Sequence, residues 1–234
     1  GQFEQARIKA QALVDKGVDS ALLTMDIAQL AIIDGDYKTA ISHYLDVYHQ
    51  FPHDHVVISL ARSYKLNNQQ AQAEKLLEIY LKHNPDNTAI RLLLTDLYEQ
   101  ESPSKAIVQY QILLSEQPNH FVFLNNIAWA YYRVGNISKA LTNSQQAFAL
   151  EPEHLNVLET YGVVLFAVKQ DDIARAVLIK ALEKGSKDLH AQIALAELHI
   201  RAGQWQQAKS LLVPLTVKDK AMKNNIARLL AKIK

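Results

Sequence analysis

Residues 121–154 read FVFLNNIAWAYYRVGNISKALTNSQQAFALEPEH. Ile127, Ala128 and Tyr131 stand at i, i+1 and i+4, the spacing that gathers side chains on one helical stripe. Val134-Gly135-Asn136 interrupts the pattern, as a glycine-bearing turn does. A second amphipathic run follows around Ala140 and closes at Leu150-Glu151-Pro152. Proline cannot continue a helix and biases the residue before it toward extended geometry. The stretch therefore predicts two helices joined by a tight turn. Such a pair has apolar surface that it cannot bury alone, so pairs must stack.

The same features recur outward from this stretch. Pro52, Pro85, Pro118 and Pro152 lie 33, 33 and 34 residues apart. Ala6, Ala40, Ala73, Ala106, Ala140, Ala174 and Ala208 follow at intervals of 34, 33, 33, 34, 34 and 34. Turn residues precede the alanines at Asp34-Gly35-Asp36, Asn67-Asn68-Gln69 and Ala202-Gly203-Gln204. Upstream stands a small residue, Ala28, Ala61, Ala128, Gly162 or Ala196, with Leu94 as the exception. Four positions after the alanine stands a large one, as in Tyr44, Leu77, Tyr110, Leu178 and Leu212. Small residues let helix backbones approach, and large ones fill the space beside them.

Composition agrees with a helical chain. Seven glycines and six prolines in 234 residues are few for a loop-rich enzyme or a β-sandwich. Hydrophobic residues make up 49% and charged residues 21%, enough to bury a core. A net charge of +1 argues against a nucleic-acid binder that works through excess charge. With no cysteine, thiolate metal sites, disulfides and a cysteine nucleophile are excluded. No apolar run approaches a membrane span, and Gly1-Gln2-Phe3-Glu4 does not open a signal peptide.

The 34-residue period, the small residue and Tyr of the first helix, the Ala of the second and the closing Pro resemble the tetratricopeptide repeat (TPR) family. The resemblance spans essentially the whole chain. It implies an all-α right-handed superhelix, an α-solenoid of stacked antiparallel helix pairs. Six units are expected at 21–53, 54–86, 87–120, 121–154, 155–188 and 189–222. Residues 1–20 are expected to hold the second helix of a truncated repeat, and 223–234 a capping helix. The chain is then expected to be the C-terminal part of a longer array. It departs from the family in several places. Val57, Ile90, Leu124 and Leu158 stand where the family has Trp; Ser186 and Lys220 replace closing prolines; Glu101-Ser102-Pro103 replaces a Gly-Asp turn.

On the family's architecture the first helices line a concave groove, which makes their exposed positions the candidate site. The central ones are Arg62, Lys65, Arg91, Tyr98, Asn125, Asn126, Trp129, Tyr132 and Phe166. His190, Ile193, Glu197 and Ile200 hold the same positions in the last unit. Asn side chains can hold an extended peptide backbone, Arg can pair with a carboxylate, and an exposed Trp anchors an interface. The aromatic residues have a second reading, as packing between neighbouring units. Trp205, in a turn, reads as packing. Some TPR domains bind acidic chaperone tails through a clamp of Lys and Asn; Asn126 matches one clamp position, while Arg91 and Thr95 depart from two others.

The expected function is therefore a non-catalytic protein–protein interaction scaffold that binds an extended peptide or partner segment. No phosphate-binding Gly-rich loop, Gly-x-Ser-x-Gly or His-Glu-x-x-His occurs. His53-Asp54-His55 reads as solvated polar sequence, so no metal or cofactor is expected. The basic end, Lys218 to Lys234, reads as a polar cap and not as a nucleic-acid or membrane contact. An alternative is self-assembly, monomer to weak homodimer, through Ala6, Ile8, Ala10 and Leu13. A narrower resemblance rests on Leu124-Asn125-Asn126-Ile127-Ala128-Trp129 and Glu159-Thr160-Tyr161-Gly162. These resemble the C-terminal repeats of bacterial TPR lipoproteins of PEP-CTERM and exopolysaccharide systems. That resemblance implies an envelope scaffold for polysaccharide export or protein sorting, periplasmic or associated with the outer membrane; a cytoplasmic location is the alternative.

Overall fold

The structure, a computed structural model, describes residues 2–18 and 20–233. Among them stand fourteen α-helices and no strand. They form two compact units, Gly1–Glu101 and Ser102–Lys234. The first unit holds α1 (Gln2–Asp15), α2 (Ala21–Ile33), α3 (Tyr37–Gln50), α4 (Asp54–Leu66), α5 (Gln70–His83) and α6 (Thr88–Glu101). The second holds α7 (Pro103–Glu116), α8 (Phe121–Arg133), α9 (Ile137–Leu150), α10 (Leu155–Ala167) and α11 (Asp171–Glu183). It continues with α12 (Leu189–Arg201), α13 (Trp205–Leu212) and α14 (Lys220–Leu230). The two units divide between α6 and α7, within the span 87–120.

Within each unit, successive helices pack on one another, and first helices also touch first helices of the next pair: α4 on α6, α8 on α10, α10 on α12. The recurring small residues make this approach possible. Ala28, Ala40, Ala61, Ala73, Ala106, Ala128, Ala140, Ala174, Ala196 and Ala208 are all buried. Gly162 goes further: a Cβ built on it would lie 2.5 Å from Leu178 Cδ2, so α10 meets α11 more closely than alanine would permit. Leu77, Leu178 and Leu212 fill the adjoining space, each essentially inaccessible. Ala6 is the exception among the in-phase alanines and is exposed; α1 packs on α2.

The helix ends follow two rules. Inside five pairs, the chain leaves the first helix through a residue with positive φ: Gly35 (78°), Asn68 (57°), Gly135 (79°), Lys169 (62°) and Gly203 (72°); α6 ends instead at Ser102 (φ −137°), before Pro103. Each of the five lets the following N–H reach back to the last turn, as Asp36 N does to Ala31 O (2.9 Å) and Gln170 N to Leu165 O (3.0 Å). Between pairs, the residue before proline stops the helix by leaving the helical region for φ near −135° and ψ of 64–80°. Phe51 (φ −139°, ψ 80°), Asn84 (−134°, 64°), Gln117 (−130°, 74°) and Glu151 (−138°, 70°) all do so. Where Ser186 replaces the proline, the first rule takes over: Gly185 adopts φ 88° and Ser186 N bonds to Ala181 O at 3.0 Å.

Polar contacts join residues about one repeat apart. Arg7 pairs with Asp34 (2.6 Å), and Arg201 with Asp171 (2.9 Å). Asp54 accepts from the Tyr80 hydroxyl (2.5 Å) and the Asn87 amide (2.7 Å). Glu153 takes Lys180 and Lys184 together, which holds its carboxyl below the ordinary value. Exposed pairs of this kind contribute little to stability, and fix register instead.

Candidate functional site

The sequence-predicted contact residues separate between the units, and each half has its own character. In the first unit, α4 presents Arg62 and Lys65 as exposed side chains, with Lys65 Nζ 2.6 Å from Asp96 Oδ2. Arg91 and Tyr98 of α6 differ from the expectation of exposure, at 7% and 2%. The Arg91 guanidinium donates to the Pro85 carbonyl, and the Tyr98 hydroxyl to the Glu78 carboxylate. Burial, then Glu78, pushes the Tyr98 hydroxyl well above the ordinary tyrosine value. Thr95, between them, is also buried and donates to Arg91 O at 2.7 Å. This stripe of α6 is used in packing because Tyr98 reaches across to α5.

In the second unit, α8 carries Asn125, Asn126, Trp129 and Tyr132. Asn125 is 6% exposed; its Nδ2 donates to Asn126 Oδ1 at 3.2 Å, while its Oδ1 is buried without a hydrogen-bond partner in the protein. Asn126 Nδ2 donates to the Tyr110 hydroxyl at 2.9 Å. Helical spacing continues this stripe to two half-buried aromatics. The Trp129 ring stacks on Tyr132 (5.2 Å between centroids, 21°) and meets His190 of α12 edge-on (4.9 Å, 74°). One aromatic surface thus passes from α8 to α12.

Beside it lies a cavity of about 330 Å³. Tyr132 of α8, Val163 and Phe166 of α10, and His190, Ile193, Ala194 and Glu197 of α12 form its first walls. Asp219, Ala221, Met222 and Asn225, from the start of α14, close it. Trp129, Tyr132, Phe166 and His190 are therefore gathered in one region, as expected for the first three. The contribution of α14 was not legible as part of a site, because those residues straddle the end of the sixth unit and the cap and belong to no first helix. Their one signal is Asp219, three residues before Met222, an N-cap spacing; its Oδ1 accepts from Met222 N at 2.7 Å.

Charge around the cavity is arranged by three contacts. Arg201 donates to Asp171 and to Glu197 Oε1 (3.1 Å), and its guanidinium lies 4.7 Å from the Phe166 centroid. These carboxylates hold Arg201 above its ordinary value despite some burial. Burial works against the charge of Asp188, yet the His190 imidazole at 4.0 Å and the Ala191 N–H hold its carboxyl below the ordinary value. Burial first, and then the Asp188 charge, raise the Tyr132 hydroxyl. Glu159 is raised by burial, with Asp188 adding to the effect and the Ser186 hydroxyl, donating at 2.5 Å, opposing it.

The other sequence candidates have structural employment. Asp54 of His53-Asp54-His55 is occupied by Tyr80 and Asn87. Among the described residues no group of three or more His, Cys, Asp or Glu is placed to hold a metal ion, and no helix is long and apolar enough to cross a membrane. His199 is buried and bonded through Nδ1 to Gln204 Oε1 (2.6 Å), away from Glu197. On α1, Ala10 is buried whereas Ala6, Ile8 and Leu13 are exposed.

Residues 31–97 match the family model described as tetratricopeptide repeat. No curated protein matches the sequence. Among solved structures, a MamA fragment from Desulfovibrio magneticus RS-1 is similar with a TM-score of 0.63 at 16% identity. That match covers 73% of this chain and 98% of the MamA chain. A tetratricopeptide repeat protein from Parabacteroides merdae gives 0.59 at 21% identity, over 75% of this chain and 72% of its own. A chain of the APC/C hetero-tetramer Cut9–Hcn1 gives 0.65 at 15% identity, covering 97% of this chain and 46% of that one. The fold is thus the all-α tetratricopeptide fold of stacked helix pairs.

Proposed function

We propose that the chain is a non-catalytic protein-interaction scaffold, and that its second unit holds an extended segment of a partner protein across α8, α10, α12 and α14. The observation that carries this reading is the cavity of about 330 Å³ walled by Tyr132 and Phe166, with the Trp129–Tyr132 stack beside it. Aromatic side chains that combine large contact area with few rotamers anchor interfaces well. Asn126, half-buried, is the backbone-holding group of this reading; Asn125 is buried beside it and donates to its Oδ1. Arg62 and Lys65 supply a separate, cationic contact in the first unit, and Arg91 and Tyr98 act by holding α6 in place. The tetratricopeptide match over 31–97 supports the scaffold reading, as does a similar chain solved within a hetero-tetramer. The envelope context, in polysaccharide export or protein sorting, rests on the resemblance carried by 124–129 and 158–162.

Capture from source-cell extract with the intact chain and a Tyr132→Ala, Phe166→Ala variant, read by mass spectrometry, tests this. Partners held only by the intact chain are expected. Identical partners on both would move the site elsewhere. A second reading, self-assembly, is favoured by Phe3 and Ile8 of α1, which are 60% and 62% exposed. It predicts a mass that rises with concentration in light scattering.

A further inference from the structure

We infer that the cavity of the second unit selects a cationic segment, a lysine or arginine flanked by aliphatic residues. This rests on the peptide-binding reading above and names the chemistry of that site. The ionised side chains on the cavity wall are Glu197 and Asp219, and no lysine or arginine lines it. The nearest cation by contact is Arg201, which Glu197 shares with Asp171, leaving one charge to balance two carboxylates. Lys218, Lys220 and Lys223 neighbour Asp219 and Met222 in sequence; all three are exposed and outside the lining. Asp188 stands on the same side of the balance, close enough to raise both the Glu159 carboxyl and the Tyr132 hydroxyl.

The shape of the wall agrees with the charge. Val163, Ile193 and Met222 offer apolar surface to an aliphatic stem, and Tyr132 adds an aromatic side chain to the same wall. A long basic side chain has both parts: it lays its methylenes on apolar surface and keeps its head near carboxylates or an aromatic ring. An acidic segment would meet Glu197 and Asp219 without a compensating cation on the wall, and like charges brought together suppress the wrong partner.

Selection of a random peptide library displayed on phage against the full chain tests this, with retained peptides then measured by fluorescence anisotropy. Enrichment of Lys or Arg beside aliphatic residues is expected. Binding of those peptides should weaken about tenfold in Glu197→Gln, Asp219→Asn and further with added salt. Enriched acidic peptides that lose binding in Tyr132→Ala, Phe166→Ala would overturn the charge selectivity and leave the groove reading standing. Peptides that bind that aromatic variant as well as the intact chain would overturn the groove reading itself. Circular dichroism of each variant, matching the intact chain, keeps lost binding distinct from lost fold.

Discussion

Gly162 and Leu178 are packed so that a single methyl group between them would collide: a Cβ on Gly162 would sit 2.5 Å from Leu178 Cδ2 and 2.7 Å from its Cγ. Leu178 is fully buried and has no room to swing aside. Gly162→Ala therefore costs about 1–3 kcal/mol of overpacking, against a helix-propensity gain of about 1 kcal/mol. The net is a loss of stability, measured by urea denaturation. Combining it with Leu178→Val should recover part of the loss. Additive effects of the two changes would contradict the close contact.

Lys169 holds a backbone conformation, φ 62°, that L-residues adopt at a cost, at the position where other pairs carry glycine or asparagine. Lys169→Gly should raise stability by about 0.5–1 kcal/mol, after allowing for the greater freedom of glycine in the unfolded chain. A fall in the denaturation midpoint would show that the Lys169 side chain contributes more than its strain. Gly185→Ala, at φ 88°, should move stability the other way by about 1 kcal/mol.

Glu159 and Asp188 give the second unit opposite pH dependences in separate windows. The folded Glu159 carboxyl is raised above its ordinary 4.5, so the folded chain keeps that proton more tightly than the unfolded one. Its contribution falls as pH rises from 4.5 and levels off above the raised value. Asp188 is lowered below 3.8, so its contribution is present above that value and is lost as pH falls through the folded one. Glu159→Gln keeps an acceptor for Ser186 and removes only the first effect. The variant's advantage over the intact chain should grow between pH 4.5 and neutrality in thermal melts. A constant difference across that range would exclude the raised carboxyl.

Asn125 carries a buried acceptor, Oδ1, that no protein group satisfies. Its Nδ2 bond to Asn126 is long at 3.2 Å. Asn125→Leu, similar in size, should leave stability unchanged or raise it by about 1 kcal/mol. A destabilised Asn125→Leu chain would show that the amide already has its full complement of bonds.

Ala140 is fully buried where α8 and α9 pack together. Stacked pairs that touch only their neighbours fail locally. Ala140→Asp should therefore strip hydrogen-exchange protection from α8 through α10 while α2 to α4 keep theirs. Loss of protection throughout would mean that the chain folds as one cooperative body.

Much of the helix pairing was legible because it is carried by recurring local constraints. A buried alanine, a turn residue and a proline each impose their geometry from sequence, and Ala40, Gly35 and Pro52 do so in phase with Ala140, Gly135 and Pro152. The exposure of single positions was less legible. Arg91 and Tyr98 occupy the same helical stripe as residues that face outward elsewhere, and their burial depends on Pro85 and Glu78, one outside α6 and one on α5. The far wall of the cavity escaped sequence reading for a different reason: α14 straddles the end of the last repeat, so the groove-lining periodicity says nothing about what Met222 and Asn225 face.

The two kinds of helix ending have a consequence for how such a chain can change length. A left-handed residue closes every first helix but α6, and a residue before proline closes most second helices, so most pairs carry both of their own stops. Copying or excising a whole pair then leaves the surviving junctions chemically complete. Gly185-Ser186 shows that even the stop between pairs can be respelled, from a proline to a glycine, without losing the break it encodes. Gene duplication can act on such a chain by whole pairs, and selection afterwards needs to adjust only the faces that meet.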